Sequence, residues 1–282
     1  MNTWDVKRVV SLLVESGHIA LSHYDSPSWQ LKQDRSIVTE ADKAVEALLA
    51  AEFDRPADGV HMIGEETIAS RDEKYMQGAL TGTTWIVDPI DGTAPYSHHI
   101  PTWGVSIGFA EEGVIKEGGI FLPATGEMFV TNGPQVLYSS CAGGRNSWNF
   151  SSLGELPRKE RALNDGGMIS ISQGMAKHGV MEVKNPVQAL CCAVMPLAYL
   201  CMGRYLAYVG ALYVWDYAAG LAILKKCGMV ARFRGGGEMT ARLVDDCQLE
   251  ADGIARWRAR DDIIFAPSNE VADFVATHVS RQ

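Results

Sequence analysis

Residues 85–93 read Trp-Ile-Val-Asp-Pro-Ile-Asp-Gly-Thr, an apolar run that leads directly into two carboxylates, a glycine and a hydroxyl. Asp88 and Asp91 flank a proline-containing turn at the end of a predicted strand, so both carboxylates can meet at one point. Such oxygen donors suit Mg²⁺, Ca²⁺ or Mn²⁺. Gly92 allows a ligand to approach the backbone, and a helix that begins there would offer N–H groups to a phosphate. The alternative is a plain turn, because turns also select Pro, Asp and Gly.

Two other acidic segments favour the metal site over the turn. Residues 63–67 read Ile-Gly-Glu-Glu-Thr after a short apolar run, and residues 215–220 read Trp-Asp-Tyr-Ala-Ala-Gly. Asp216 is predicted to open an apolar helix that ends in the basic and glycine residues of 225–228, which are typical of a helix C-terminus. Carboxylates gathered without a cation would repel by about 4 kcal/mol per pair at 4 Å and an effective dielectric of 20. The acidic residues therefore make sense mainly as metal ligands.

The bulk composition excludes several classes of function. The chain has 282 residues, a hydrophobic content of 47% and a net charge of −9, which describe an ordinary globular protein with a sizeable core. No block of Lys and Arg interleaves with aromatic residues, so we expect no nucleic-acid partner. The acidic balance also argues against anionic membranes. Bound dications would reverse the local field of an acidic site that receives a phosphate.

The termini and the cysteines indicate a cytoplasmic protein. Charged residues recur at helical intervals between residues 5 and 15, which predicts an amphipathic helix rather than a signal peptide. No apolar run reaches membrane-spanning length. The six cysteines include no C-x-x-C pair and lie mostly among apolar residues, so buried free thiols are expected.

The order of predicted elements indicates two lobes joined by a connector. The first lobe, 1–138, has two helices (about 4–24 and 40–54) followed by antiparallel strands near 60–63, 84–88, 103–109, 114–122 and 127–131. Residues 139–167 are polar and rich in Gly and Ser, which favours a connector. The second lobe, 168–282, alternates strands (168–172, 205–209, 229–233, 262–266) with helices (188–202, from Asp216, from Ser268) and is predicted to be an α/β unit carrying Asp216.

The acidic segments 63–67, 85–93 and 215–220, together with residues 36–42 (Ser-Ile-Val-Thr-Glu-Ala-Asp), resemble the inositol monophosphatase family in order and spacing. The resemblance covers nearly the whole chain. It implies an α/β (α+β) fold, a layered αβαβα sandwich of the inositol monophosphatase / fructose-1,6-bisphosphatase type. It also implies a homodimeric, lithium-sensitive, Mg²⁺-dependent phosphatase that hydrolyses a small phosphate monoester by in-line attack of a metal-activated water.

The resemblance assigns roles to individual residues. Glu66, Asp88 and the Ile90 carbonyl would hold one Mg²⁺, whereas Asp88, Asp91 and Asp216 would hold a second. Glu66 would also help a third ion, with Glu65 as its supporting neighbour. Thr93 would contact the attacking water and Asp42 would bond to Thr93, while the backbone N–H groups of Gly92 and Thr93 receive the phosphate. An alternative for Asp42 is purely structural, because residues 39–42 also form a capping-box pattern.

The chain departs from the family where the leaving group would bind. Val209 replaces a glutamate that binds sugar hydroxyls, and Cys191 lies in an altered wall of the pocket. His98 and His99 lie in the changed continuation of residues 88–93 and could touch substrate, although solvated loop histidines are the alternative. Lys32 matches a lysine near the family's metals, with a surface lysine as the alternative. The substrate therefore stays open among inositol phosphate, another sugar or polyol phosphate, histidinol phosphate and a 3′-nucleotide.

Two features of the sequence point to other classes of function. Residues 104–108 read Gly-Val-Ser-Ile-Gly and fit the nucleophile elbow of serine hydrolases around Ser106. Apolar residues alternate straight through Ser106, however, which predicts a continuous strand rather than a strand-turn-helix elbow. The altered pocket also suggests a non-catalytic metal or phosphate binder, although retention of the full set of acids and Thr93 argues against it.

Overall fold

The two larger β-sheets are separated by one layer of helices, and a further layer of helices covers the outer face of each. The computed structural model describes residues 1–32, 36–141, 148, 150, 153–159 and 162–281. Three buried apolar clusters fill the spaces between the layers. The order of layers is therefore αβαβα, as the sequence predicted.

The helices and strands have the following bounds. The helices are α1 (Val6–Tyr24), α2 (Glu40–Phe53), α3 (Glu73–Thr81), α4 (Thr93–Ser97), α5 (Gln173–His178), α6 (Val194–Cys201), α7 (Val214–Lys226), α8 (Leu243–Asp246) and α9 (Asn269–His278). The strands are β1 (Trp29–Leu31), β2 (Ile37–Thr39), β3 (Val60–Gly64), β4 (Thr83–Asp91), β5 (Gly104–Glu111), β6 (Val114–Leu122), β7 (Glu127–Asn132), β8 (Gln135–Ser140), β9 (Gly154–Glu155), β10 (Ile169–Ile171), β11 (Gly179–Met181), β12 (Val187–Gln188), β13 (Ala207–Gly210), β14 (Val230–Phe233), β15 (Ile263–Ala266) and β16 (Val279–Arg281).

The larger sheet has seven strands in the order β3-β4-β5-β6-β7-β8-β9. Strand β3 pairs with β4 in parallel, which corrects the expectation of antiparallel strands throughout the first lobe. The unpredicted helix α3 makes the crossover that a parallel pair requires. Strand β9 and the last residues of β8 fall in the predicted connector 139–167, so part of that segment extends the sheet. Residues 142–147, 149, 151–152 and 160–161 of the connector lie outside the described residues.

Helices α1 and α2 cover the outer face of the larger sheet. Asp5 caps α1 by accepting the N–H groups of Lys7 and Arg8, and the apolar stripe of the helix, including Leu12 and Leu13, is fully buried against the sheet. The amphipathic N-terminal helix predicted from the sequence is therefore present.

Helices α6 and α7 form the central layer between the two sheets. Ten of the thirteen residues of α7 are buried, as expected for a helix that is apolar on nearly every side. Two glycines allow α7 to lie close to the larger sheet: a Cβ on Gly108 would lie 2.8 Å from the Ala218 Cβ, and a Cβ on Gly118 would lie 2.4 Å from the Ala219 carbonyl oxygen. Because glycine has no side chain, α7 can lie closer to the sheet at these two positions than any other residue would allow.

The smaller sheet has five strands in the order β12-β10-β13-β15-β14, with α5 and α9 on its outer face. The predicted helix 188–202 begins only at Val194, because residues 187–188 form β12 and Cys191 has a left-handed backbone with φ +57°. One apolar cluster joins residues of both sheets with α6 and α7, so the predicted lobes share a core. Within the described part of the chain, no helix has both the length and the apolarity needed to cross a membrane.

Candidate active site

Three carboxylates from two elements meet at the edge of the larger sheet. Oxygen atoms of Asp88, Asp91 and Asp216 all lie within 4.8 Å of one another. The register of β4 against β5 shifts between Asp88 and Asp91, at the position of Pro89, which lacks the N–H that a regular ladder would use. Such an irregularity re-aims side chains and lets two acids on one strand reach a single point.

The electrostatics of this cluster fit a divalent cation. Asp88 is 1% exposed, and its Oδ1 atom is buried without a hydrogen-bond partner. Burial raises the pKa of Asp88 well above its usual range, and the charges of Glu65, Asp91 and Asp216 raise it further. An unpartnered buried carboxylate oxygen beside two other acids is costly unless a cation compensates it. Hard oxygen donors of this kind are the ligands that Mg²⁺ prefers.

Asp91 is held by the start of the central helical layer. Its Oδ2 accepts the backbone N–H groups of Ala193 at 2.6 Å and Val194 at 2.5 Å, and the Cys192 thiol donates to it at 3.2 Å. Burial raises the pKa of Asp91 to about 6, although these hydrogen bonds favour its charged form. This contact explains why α6 begins later than predicted. The turn at residues 191–193 directs the N–H groups of Ala193 and Val194 at Asp91.

Asp216 occupies the third position of α7. Its Oδ2 accepts the N–H of Tyr213 at 2.8 Å, which fixes the side chain at the helix N-terminus. Burial, followed by the charge of Asp91, raises its pKa well above the usual range. The predicted helix opening at this aspartate is therefore present.

Of the adjacent acids Glu65 and Glu66, the structure places Glu65 at the cavity. Glu65 lines the cavity with Asp91 and Asp216, and it is the leading charge acting on Asp88, whereas Glu66 is absent from the described lining residues. The parallel pairing explains this position, because Gly64 lies opposite Val87 and the Glu65 N–H bonds to the Val87 carbonyl at 3.3 Å. The family resemblance implied Glu66 as the ligand, whereas in the structure its neighbour Glu65 lines the cavity.

Lys32 links these two glutamates. Its Nζ lies 2.9 Å from Glu65 Oε1 and 2.6 Å from Glu66 Oε1, so it is not a solvated surface lysine. Burial alone would lower the pKa of Lys32, but the two carboxylates outweigh burial and raise it. Burial raises the pKa of Glu65 to about 7, even with the lysine beside it.

Sequence reasoning missed Glu46, a buried acid behind these glutamates. Glu46 is 2% exposed, its Oε2 accepts the Glu66 N–H at 2.9 Å, and its Oε1 has no hydrogen-bond partner. The signal was present, because Glu46 follows Asp42 by one helical turn on α2 and so shares its face. Two acids on the buried face of a helix indicate a polar site beneath it.

Asp42 makes both the capping-box hydrogen bonds and the hydrogen bond to Thr93 that were expected of it. Its Oδ2 accepts the Thr39 N–H at 2.8 Å and also the Thr39 hydroxyl, and the Asp42 N–H donates to Thr39 Oγ1 at 3.3 Å, which completes the capping box of α2. Its Oδ1 accepts the Thr93 hydroxyl at 3.2 Å. The Thr93 hydroxyl also lies 3.0 Å from the Ile90 carbonyl oxygen. Burial raises the pKa of Asp42 to about 6. One carboxylate thus joins the start of α2 to the start of α4.

A cavity of about 470 Å³ opens beside the acids. Its walls also include the polar residues Ser172, Gln173 and Lys177, the exposed Cys191, and the residues Tyr208 and Leu212. Gly92, which has φ +92°, lies between the lining residues Asp91 and Thr93, and a Cβ at this position would be 3.1 Å from the Cys192 Cβ.

Two of the predicted substrate contacts lie elsewhere. Val209 is fully buried in the apolar cluster beneath α5 and α9, because its neighbour Tyr208 takes the face of β13 that points to the cavity. His99 is exposed and packs edge-on against Tyr24 with ring centroids 5.2 Å apart, and His98 bonds to the Ala94 carbonyl. Neither histidine is among the described residues that line the cavity.

Ser106 cannot act as an exposed nucleophile. It is fully buried in the middle of β5, opposite Asp88 in the ladder, and its hydroxyl donates to the Trp215 carbonyl at 3.5 Å. The strand continues to Glu111 without the sharp turn and helix of a nucleophile elbow.

Comparison with known proteins identifies the family. The model of the inositol monophosphatase family matches residues 6–263. The chain belongs to the inositol monophosphatase family. Its members are hydrolases of phosphate monoesters, so the chain is a phosphatase of this family.

This chain is 31% identical to the quinic acid degradation cluster protein x of Neurospora crassa. The match covers 68% of this chain but only 63% of that protein. The chain is 29% identical to an inositol-1-monophosphatase of Mesorhizobium japonicum, over 74% of this chain and 77% of the relative. It is also 29% identical to a histidinol-phosphatase of Chlorobaculum parvum, over 69% and 82% respectively.

Solved structures share the fold of this inositol monophosphatase family member. The Thermotoga maritima IMPase superposes with a TM-score of 0.70 at 23% identity, covering 96% of both chains. An IMPase/NADP phosphatase complexed with Mg²⁺ and phosphate superposes with a TM-score of 0.71 at 14% identity, covering 95% of this chain and 94% of the other.

Proposed function

We propose that this protein hydrolyses a small phosphate monoester with two to three Mg²⁺ ions held by Asp88, Asp91, Asp216 and Glu65, with help from the Ile90 carbonyl. The observation that carries this proposal is the convergence of three carboxylates within 4.8 Å around a buried Asp88 oxygen that has no hydrogen-bond partner. Glu66, one residue farther along, would support Glu65 through their shared bond to Lys32.

The residues of the chain would position and deprotonate the attacking water. Bound Mg²⁺ would supply a lowered pKa for that water and charge neutralisation for the phosphate. The Thr93 hydroxyl donates to Asp42, so its oxygen lone pair is available to accept a hydrogen bond from the water. Asp42 would then receive the proton by way of Thr93, because its Oδ1 lies 3.2 Å from the threonine hydroxyl.

The phosphate would rest on the backbone at the start of α4. Gly92 takes a left-handed conformation with φ +92°, and Thr93 is the first residue of the helix. A Cβ at Gly92 would lie 2.7 Å from the Thr102 carbonyl oxygen, so this position requires glycine for space as well as for φ. The N–H groups of Gly92 and Thr93 would donate to phosphate oxygens.

Candidate substrates are an inositol phosphate or another sugar or polyol phosphate, with histidinol phosphate and a 3′-nucleotide as the alternatives. A relative is named an inositol-1-monophosphatase and another a histidinol-phosphatase, at the same identity of 29%. Cys191 in the wall of the cavity distinguishes this pocket from the family pattern that binds inositol hydroxyls, whereas Val209, which replaces the family's glutamate, is buried outside the cavity.

Phosphate release from a panel of these monoesters, measured with Mg²⁺ and then with EDTA, tests the proposal. We expect metal-dependent turnover of at least one substrate, with Asp88→Asn inactive and Ser106→Ala active. Metal binding without phosphate release from any monoester would instead favour a non-catalytic binder. Retained activity in Asp88→Asn with loss in Ser106→Ala would overturn the proposed chemistry.

The homodimer, the lithium sensitivity and the cytoplasmic location stay predictions from the family resemblance and the composition. Light scattering on the purified protein would measure the oligomeric state. A lithium titration of Mg²⁺-dependent turnover would measure inhibition.

A further inference from the structure

One wall of the cavity carries an isolated positive charge. Lys177, in the last turn of α5, is the only basic residue among the described residues that line this cavity. It is exposed and forms no ion pair or hydrogen bond with a described residue, whereas Lys32 on the acidic side is engaged by Glu65 and Glu66. The charge of Lys177 is thus available to a ligand.

Lys177 and Cys191 line the same cavity, and Cys191 belongs to the wall where the family resemblance places the leaving group. The Cys191 thiol donates to Gln173 Oε1 at 2.7 Å, which joins the turn before α6 to the first turn of α5. Lys177 is close enough to Cys191 for its charge to favour the thiolate, although burial dominates and raises the pKa of Cys191. The lysine and Cys191 therefore face the same part of the cavity.

The two ends of the cavity carry opposite charges. Glu65, Asp91 and Asp216 line the acidic side of the cavity, Lys177 lines it from α5, and Tyr208 and Leu212 also line it. In the proposed function, cations and the phosphate being hydrolysed neutralise the acidic end. The lysine then lacks a counter-charge, and a ligand that spans the cavity can supply one.

We propose that Lys177 determines specificity by binding a second anionic group, a carboxylate or a phosphate, on the leaving group of the substrate. The preferred substrates are therefore phosphorylated hydroxy acids or bisphosphates rather than esters of neutral polyols. An amine-bearing leaving group, such as that of histidinol phosphate, is disfavoured because it would meet a like charge. This inference rests on the proposed function and narrows its substrate class.

Matched pairs of substrates test the role of Lys177. The first pair is 2-phosphoglycerate and glycerol 2-phosphate, which differ by a carboxylate in place of a hydroxymethyl group. The second pair is fructose 1,6-bisphosphate and fructose 6-phosphate, which differ by a phosphate. We expect the wild-type protein to favour the anionic member of at least one pair by about tenfold in kcat/KM. The pair with the larger ratio identifies the anion as carboxylate or phosphate.

Variants then assign the preference to the lysine. Lys177→Met is expected to abolish the preference, mainly through KM, and Lys177→Glu to reverse it and to improve turnover of histidinol phosphate. Lys184→Met is the matched control, because Lys184 is an exposed lysine that does not line the cavity, and it should keep the wild-type ratio. Thermal unfolding of each variant checks that the fold is retained.

The outcomes separate the two proposals. Mg²⁺-dependent turnover without a preference in either pair, or a preference that survives in Lys177→Met, overturns the role of Lys177 and leaves the proposed phosphatase intact. Absence of Mg²⁺-dependent turnover for every substrate overturns the proposed function and this inference together.

Discussion

The two ends of the cavity are built in different ways. At the acidic end, Asp88 and Asp91 are buried, Asp91 is held by backbone N–H groups at the start of α6, and Asp216 is held by the N–H of Tyr213 at the start of its own helix. At the opposite wall, Gln173, Lys177 and Cys191 are exposed side chains, and the helix that carries two of them has six residues.

This difference in burial separates the residues that would carry out the reaction from those that would determine substrate specificity. The acidic end is fixed by the same packing that holds the two sheets together, so a change there alters several elements at once. Exposed residues on the wall change at small cost in stability, typically within about 0.5 kcal/mol. The wall can therefore set substrate preference without disturbing the residues that would hold the metal.

The largest effect is expected at Asp88. Asp88→Asn should lower kcat/KM by about 10³-fold, since it weakens charge stabilisation in a buried site. It should also abolish the rise in Tm on adding Mg²⁺ while leaving the metal-free protein at least as stable, because one buried repelling charge is removed. Asp165→Asn, at an exposed aspartate that pairs with Lys184, serves as control. A Mg²⁺-induced rise in Tm that persists in Asp88→Asn would show that the cation binds elsewhere.

A smaller but still large effect is expected at Thr93. Thr93→Val removes the hydroxyl that donates to Asp42 and should lower kcat by about 10²-fold with little change in KM. Thr93→Ser retains the hydroxyl and should recover most of the activity, as steady-state kinetics would show. If the valine and serine variants lost equal activity, the hydroxyl would not be the functional group.

The adjacent glutamates should differ in their effects. Glu65→Gln should raise the Mg²⁺ concentration for half-maximal activity by about 100-fold, and Glu66→Gln by about tenfold or less, since only Glu65 lines the cavity. Mg²⁺ titrations of the two isosteric variants make the comparison. The opposite order would restore Glu66 as the principal ligand.

The smallest effect is expected at the exposed wall. Cys191→Ala should change the free energy of unfolding by no more than about 0.5 kcal/mol. Iodoacetamide should modify Cys191 in the native protein and leave the adjacent Cys192 unmodified, because Cys192 is buried and burial raises its pKa well above the usual range. Peptide mass spectrometry identifies the modified cysteine, and faster labelling of Cys192 would contradict the contrast between the two ends.

Most elements of the fold could be predicted from the sequence, because long apolar runs and capping residues mark them locally. The strands between residues 104 and 122 and the helix after Asp216 fall close to their predicted bounds. The parallel pairing of β3 could not be predicted, because the orientation of a strand depends on which partner it meets. The edge strand β9, only two residues long, carries no periodicity to detect.

In the candidate site, the sequence does not determine which of two adjacent residues lines the cavity. The family resemblance points to Glu66 and Val209, but Glu65 and Tyr208 are the members of the pairs Glu65–Glu66 and Tyr208–Val209 that line the cavity. On a strand such as β13, adjacent side chains point to opposite faces. Only the pairing of β3 and the two-sided packing of β13 determine which member of each pair faces the cavity. Lys177 was not predicted, because an isolated lysine carries no motif.

The glycines beneath α7 affect the site from a distance, because they determine how closely α7 packs on the larger sheet. Gly118 lies on β6 and is not a cavity residue, yet it sets how closely the helix that carries Asp216 approaches the sheet that carries Asp88. An added methyl group at this position would act as a wedge and move one aspartate relative to the others. The separation between Asp216 and Asp88 thus depends on the small size of a residue in the interior of a strand.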